Sequence, residues 1–378
     1  MASHSSLPAT HRALVLHSLD TPLKVEPRPI PLIRPGNVVV RVLAANVLSY
    51  GREILDGTRP YPYPKPYVPG GSAVGRIAAV GPDCSVFSSG QLVLVDIMTR
   101  ARDDTSASYL MGIHQGFSGA TAKLASDEWR DSTYAEYVKV PLENVYALDE
   151  ERLLGDATKG GLGYTVEDLP YLYRLLVPFG GFRDVDLKVG ETILIGPATG
   201  PYGTAAVDLA LALGANVVAM GRNGQVLEKL AATPTSDRVK TVQLTGDVET
   251  DTAAIKRHGP IDVFFDISPP AAASSTHILS GILSLAHSGR VSLMGGIAGE
   301  VMVPYGAIMF NDLKLHGKFM YERKDVRQLV RMVEAGVLGL GGRIGARCEG
   351  SFGLEEWDEA FEAARGNAGP GQYVVITP

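Results

Sequence analysis

The residues best placed to do chemistry are three glycines. They stand in Gly196-x-x-x-Gly200-x-x-Gly203, inside the stretch ETILIGPATGPYGTAAVDLALALGANVVAMGR. The pattern reads strand, glycine-rich turn, helix, strand. Such a turn lets the backbone approach a dinucleotide pyrophosphate. The helix N-terminus behind it supplies N–H groups and the positive end of its dipole. The candidate cofactor contacts are therefore Thr199, Gly200, Pro201, Tyr202 and Gly203. The usual G-x-G-x-x-G is not present in that form, and a tight strand–helix packing turn with no ligand also takes glycine here. The next strand ends in Gly221-Arg222-Asn223, about twenty residues further on, where an acidic side chain on the ribose diol marks NAD and an arginine accommodates a 2′-phosphate. A guanidinium binds that phosphate bidentately. The expected cofactor is therefore NADPH, the alternative being a solvated surface arginine.

The elements that position these residues change rhythm along the chain. Up to about residue 150 the segments Asn37–Leu43, Gly75–Val80, Gln91–Asp96 and Tyr134–Val140 are short and rich in Val and Ile, with Gly, Pro and Ser between them. That pattern predicts an antiparallel, barrel-like domain. Residues 98–133 break it and, polar and glycine-containing, read as a long loop or lobe. From about Thr165, strands alternate with helices. The strands are Thr192–Gly196, Asn216–Met220, Thr241–Leu244, Asp262–Ile267 and Arg290–Met294. The helices are Gly203–Leu213, Gln225–Ala232, Thr252–His258 and Ser274–His287. This predicts an α/β domain with a doubly wound parallel sheet. A helix over Asp325–Ala335, another over Leu354–Arg365 and a strand over Gln372–Ile376 complete the chain. Ligands of such sheets bind at the carboxyl ends of strands. That singles out Ile267, Ser268, Gly295, Gly296 and Ile297 as further cofactor contacts. Asp266 reads as a strand-end hydrogen-bonding residue.

Composition excludes several classes. There are 35 basic and 41 acidic residues, a net charge of −6, which argues against a nucleic-acid partner. Two cysteines, Cys84 and Cys348, make neither a disulfide framework nor a four-cysteine zinc site. The start MASHSSLPATHRALVLHSL has no charged segment followed by an apolar one, and no run spans a bilayer. The expectation is a soluble, cytoplasmic protein without a membrane partner. Glycine accounts for 43 of the 378 residues, above the average of about 7%.

The order of parts resembles the medium-chain dehydrogenase/reductase superfamily, with quinone-oxidoreductase-like members nearest. The markers are Ala44-Ala45-Asn46, Val68-Pro69-Gly70-Gly71, Gly75-Arg76-Ile77 with Val80-Gly81, Tyr134-Ala135-Glu136-Tyr137-Val138, the turn Gly200–Gly203, and Gly289-Arg290-Val291 with Gly295-Gly296. The resemblance covers nearly the whole chain. It implies a GroES-like, partly open barrel domain over residues 1–164 and 325–378, and a Rossmann domain over 165–324. It also implies a homodimer through the sheet edge near Gly295–Tyr321. Phe319 and Met320 follow a late Rossmann strand and join the cofactor candidates.

The departures from the family pattern shape the expected chemistry. Zinc enzymes of the superfamily carry a ligand Cys where Asn46 stands and Gly-His-Glu where Gly70-Gly71-Ser72 stands. No metal is expected here. Hydride transfer without a Lewis acid favours a substrate that is already electrophilic. The expectation is therefore an NADPH-dependent reductase of an activated C=C bond (enone or enoyl) or a quinone, a small molecule such as a specialised metabolite. The alternatives are a zinc-free carbonyl reductase or alcohol dehydrogenase, and an NADPH-binding protein without turnover. By resemblance the loop Asn46–Tyr50 lines the substrate side. Asn46, Ser49 and Tyr50 are candidate catalytic residues, Tyr50 as a proton donor. His114 in GIHQG is the fourth candidate, and a lone histidine also serves simply as a surface or hydrogen-bonding residue. Tyr61, Tyr63 and Tyr67 in YPYPKPYVPG read as a rigid wall.

Overall fold

The computed structural model describes residues 7–232 and 236–378. The first six residues of the start MASHSSLPATHRALVLHSL lie outside that range. The chain forms two compact units.

The first unit begins with an antiparallel ribbon of β1 (Thr10–Val15) and β2 (Lys24–Pro29). β3 (Asn37–Val47) is the long central strand. Its near-continuous apolar run is buried on both faces, with Arg41 the exposed exception. It pairs antiparallel with β4 (Ala73–Val80), after the short helix α1 (Gly51–Leu55). Gly75 is obligatory in that pairing, because a Cβ there would meet the Arg41 carbonyl oxygen. β5 (Leu92–Val95) continues the sheet. Of the two readings of residues 98–133, the structure has the lobe. They hold a hairpin of β6 (Met98–Arg100) and β7 (Ser108–Leu110), then the helix α2 (Gly119–Asp127). Ser118 caps α2 by accepting from the Thr121 N–H at 3.2 Å. α2 buries only Thr121 and Ala125, so its sequence lacks the apolar stripe that announces a helix. β8 (Tyr137–Pro141) pairs with β3, and β9 (Val145–Ala147) pairs with β5 before α3 (Glu150–Leu154).

The second unit opens within α4 (Leu172–Asp184). Its sheet is wholly parallel, in the order β12-β11-β10-β13-β14-β15. The strands are β10 (Thr192–Gly196), β11 (Asn216–Gly221), β12 (Val239–Gln243), β13 (Ile261–Asp266), β14 (Leu285–Leu293) and β15 (Lys314–Gly317). The connecting helices are α5 (Pro201–Ala212), α6 (Gly224–Ala231), α7 (Val248–Lys256), α8 (His277–Leu283) and α9 (Tyr305–Phe310), and α10 (Arg323–Glu334) follows β15. Strand order reverses between β10 and β13, the place where doubly wound sheets take ligands. Leu194, Val218, Phe264, Ile282 and Val291 lie in the core. The helix predicted over Ser274–His287 is shorter. After Leu283 the chain enters β14, because Leu285 pairs with Ile261 and the register then shifts before Val263. Ser288 takes φ 62° in that irregularity.

The chain returns to the first unit with β16 (Arg347–Phe352), α11 (Trp357–Gly366) and β17 (Gln372–Ile376). β17 lies antiparallel to β3 with Val375 opposite Asn46. The units divide after Tyr173 and after Gly339, not at 164/165 and 324/325. The reason is α10, whose Val326, Leu329, Val330 and Val333 are buried in the second unit. Among the described residues, no helix is long and apolar enough to cross a membrane.

Candidate active site

Asn46 is held by its backbone. Its N–H donates to the Ser72 carbonyl at 2.9 Å, and its own carbonyl accepts the Tyr134 hydroxyl at 3.1 Å. Its side chain is different. The residue is 1% exposed, yet neither Oδ1 nor Nδ2 has a hydrogen-bond partner. A buried carboxamide left in this state costs about 1–3 kcal/mol or more. Tyr67, stacked on Tyr63 at 4.8 Å, is likewise buried with an unpartnered hydroxyl. Burial pushes that phenol well above its ordinary value, so it stays a neutral donor. Tyr67 belongs to the interior, while the Tyr63 hydroxyl donates to the Ile54 carbonyl at 3.0 Å.

The other candidates of this unit form a chain of ring contacts. Tyr50 precedes α1 and is half-buried, as is Ser49 before it. The Arg59 guanidinium sits over the Tyr50 ring at 4.2 Å and within 5.9 Å of the Tyr61 ring. Glu53 pairs with that guanidinium at 2.9 Å. Tyr61 meets His114 edge-on at 5.5 Å, and Phe117 covers the same imidazole at 5.4 Å. His114 is not a surface residue but is 6% exposed. Its Nδ1 accepts the Gly116 N–H at 2.9 Å, which places the ring hydrogen on Nε2. Burial pushes its pKa down to about 4, so the ring is neutral at pH 7 and a poor general acid. The structure thus links Tyr50 and His114 through Arg59 and Tyr61, two residues the sequence did not place in a catalytic role.

The zinc-ligand positions of the family can be tested here by chemistry and by space. Asn46 offers an amide. Gly71 cannot be replaced by a larger residue, because a Cβ would collide with the Asn46 carbonyl oxygen. The Ser72 hydroxyl donates to the Val95 carbonyl at 2.7 Å. These residues do not fit a zinc donor set.

The second unit carries the phosphate turn. Gly200 caps α5 with no side chain, and a Cβ on it would touch nothing within 4 Å, so the backbone stands open. Gly203 is closed, since a Cβ there would collide with the Pro197 carbonyl oxygen. Gly221 lies against Thr199, whose Cγ2 would sit 2.6 Å from a Cβ. One glycine therefore faces open space while the others let the turn, α5 and β11 close together. The arrangement fits a dinucleotide phosphate. Arg222 is exposed, and its guanidinium has no ion pair among the described residues. The Asn223 carboxamide is engaged as the cap of α6, accepting the Val226 N–H at 3.2 Å.

At the strand ends, Ile267 and Ile297 are half-buried and Gly296 is exposed. Ser268 is 2% exposed and its hydroxyl turns inward to Asp266 and His277, so only its backbone remains to serve a ligand. Phe319 is exposed. Met320 is buried with φ 56°, a conformation uncommon for a side-chain-bearing residue. His277 is the residue that sequence reasoning missed. A lone histidine in a Ser- and Thr-rich stretch has no spacing signal, and its partner Asp266 is 11 positions away.

Comparison with known proteins agrees with this geometry. Residues 34–150 match the alcohol dehydrogenase GroES-like domain family, and residues 201–335 match the zinc-binding dehydrogenase family. A zinc-type alcohol dehydrogenase-like protein of Schizosaccharomyces pombe is 27% identical over 83% of this chain and 85% of its own. Among solved structures, rspB of E. coli CFT073, described as a short chain alcohol dehydrogenase complexed with NADH, superposes with TM-score 0.75. It has 17% identity over 98% of this chain and 100% of that one. The crotonyl-CoA carboxylase/reductase AntE in complex with NADP gives TM-score 0.74 and 16% identity over 98% and 95%. Two matched domains, the barrel and the doubly wound sheet converge on one conclusion: the chain belongs to the medium-chain dehydrogenase/reductase superfamily and is an oxidoreductase of that type.

Proposed function

We propose that this oxidoreductase is a zinc-independent, NADPH-dependent reductase of an electrophilic C=C bond or quinone. The observation that carries the reading is the Asn46 carboxamide, buried with both polar atoms unpartnered, where zinc relatives place a thiolate. An amide in that place offers a hydrogen bond and no Lewis acidity. A donor of this kind stabilises a developing enolate oxygen or fixes a bound carboxamide. Tyr67 adds a second neutral donor in the same interior.

When bound, the nicotinamide supplies a hydride from its C4 carbon. The chain's own residues bind and orient. The open backbone at Gly200 and the N-terminus of α5 hold the pyrophosphate, and Arg222 takes the 2′-phosphate. Arg59 keeps the Tyr50 ring in place, and Tyr50 remains the candidate for moving a proton. His114, neutral and hydrogen-bonded, is assigned to shaping the site.

The test follows oxidation of NADPH with a quinone, an enone and a simple ketone in parallel, beside metal analysis of the purified protein. Turnover of the first two without stoichiometric zinc supports the reading, and reduction of the ketone alone reverses it. The names of the relatives favour that second reading, a carbonyl reductase or alcohol dehydrogenase. We also propose a soluble, cytoplasmic homodimer. Its support is the exposed apolar group Met302, Tyr305, Met309 and Phe310 of the second unit. Solution scattering that returns a monomer at assay concentration removes the dimer.

A further inference from the structure

We propose that His277 is a positioning residue: with Ser268 and Asp266 it locks the two strand-end loops of the second unit that the nicotinamide half of the cofactor rests on. The inference builds on the cofactor reading above and adds residues to which that reading gives no part.

The three side chains are 2–3% exposed and form one closed cluster. Asp266 is the last residue of β13, in register with Gly196 of β10 and Leu293 of β14. The Ser268 hydroxyl donates to Asp266 Oδ1. A hydroxyl has one hydrogen, so Ser268 Oγ can only accept from His277 Nε2, 2.7 Å away. The same Nε2 lies 3.3 Å from Asp266 Oδ1. The hydrogen therefore sits on Nε2. On the other side of the ring, Nδ1 lies 2.7 Å from the Ser275 hydroxyl.

Ser275 is exposed, so these bonds connect solvent to the interior. They do not conduct a proton to a substrate, because the inner end stops on Asp266. What the cluster delivers is geometry. The Ser268 carbonyl accepts the Gly296 N–H at 2.7 Å, and the Asp266 carbonyl accepts the Met294 N–H at 3.0 Å. A Cβ on Gly295 would lie 2.5 Å from Asp266 Oδ2 and 2.9 Å from the Ser268 N. The loop 294–296 is thus pressed against residues 266–268, with no room for a side chain at Gly295. An apolar filling would serve stability as well as a buried ion does. A satisfied polar network adds a single fixed arrangement of the two loops.

The test measures NADPH binding to the whole purified chain through nicotinamide fluorescence, with the cofactor KM and kcat beside it. Ser268→Ala keeps Asp266 bonded to His277 but frees the loop. It is expected to raise Kd about tenfold, with KM for NADPH rising more than kcat falls. His277→Gln returns an N–H near the place of Nε2 and is expected to stay within about threefold of the wild type. His277→Leu removes that N–H and is expected to lose at least as much as Ser268→Ala; should it fail to fold, the first two variants decide. Wild-type-like Kd in Ser268→Ala, with the wild type binding NADPH well, overturns the positioning role and leaves the cofactor reading standing. A wild type that binds neither NADPH nor NADH overturns both.

Discussion

Two buried polar groups in this protein have opposite states. In the second unit Asp266, Ser268 and His277 satisfy one another, and the backbone carbonyls of Asp266 and Ser268 bind the neighbouring loop. In the first unit Asn46 is as deeply buried, and its carboxamide satisfies nothing. Folding selects against the second state unless something outside the chain completes it. The closed group marks a place where the fold itself sets geometry. The open group marks a place where geometry is kept for a ligand.

The largest expected effect breaks this contrast directly. Asn46→Leu removes the orphaned amide at similar volume. Activity should fall about 10²–10³-fold, the scale of one lost transition-state donor. The melting temperature should hold or rise, because an unsatisfied buried group has gone. Asp266→Ala should do the reverse to stability, losing on the order of 1–3 kcal/mol as Ser268 and His277 lose their acceptor. Equal melting losses in the two variants would show that Asn46 is structural. Steady-state kinetics and thermal melts on the same samples decide.

The next effect separates the open phosphate turn from the arginine beyond it. Arg222→Asp should weaken NADPH about 100-fold and NADH by no more than a few-fold, because an acidic side chain repels the 2′-phosphate and suits the free diol. Equal losses on both cofactors would return Arg222 to the solvated surface.

Some of this was legible in residue types and spacing. Gly200 and Gly203 frame the phosphate turn, and β10 runs over Thr192–Gly196 as its apolar run predicts. The helix α4 was not legible, since Pro178 and Gly180-Gly181 read as breakers. The structure keeps those glycines because a Cβ on Gly180 would meet the Met320 carbonyl oxygen, and one on Gly181 would lie 2.7 Å from Phe265. Residues 98–133 hid a hairpin and a helix for want of an apolar stripe. The state of Asn46 was beyond sequence altogether. Its residue type was visible, but whether its amide had a partner depends on β17, Ser72 and Tyr134, which meet it only in the fold.

The smallest effects come from how each unit treats a titratable group under desolvation. Burial pushes His114 in the first unit down to about 4 and Asp208 on α5 up to about 7. Both native states prefer the neutral form, and the signs with pH are opposite. The free imidazole titrates near 6.5, so the His114 contribution is complete above that pH and is lost as pH falls toward 4. The Asp208 carboxyl is most favourable below its ordinary 3.8, and stability is lost as pH rises from there to about 7. Asp208→Asn should therefore melt a few degrees above the wild type at pH 8, with the gap closing toward pH 4. His114→Asn keeps an acceptor for the Gly116 N–H and should gain on the wild type only as pH falls from 6.5 to 4. Parallel melting curves across that range would mean that neither site is desolvated in solution. A rate profile that still showed a His114 limb between pH 6 and 8 would return that imidazole to proton transfer, on the open side of the contrast.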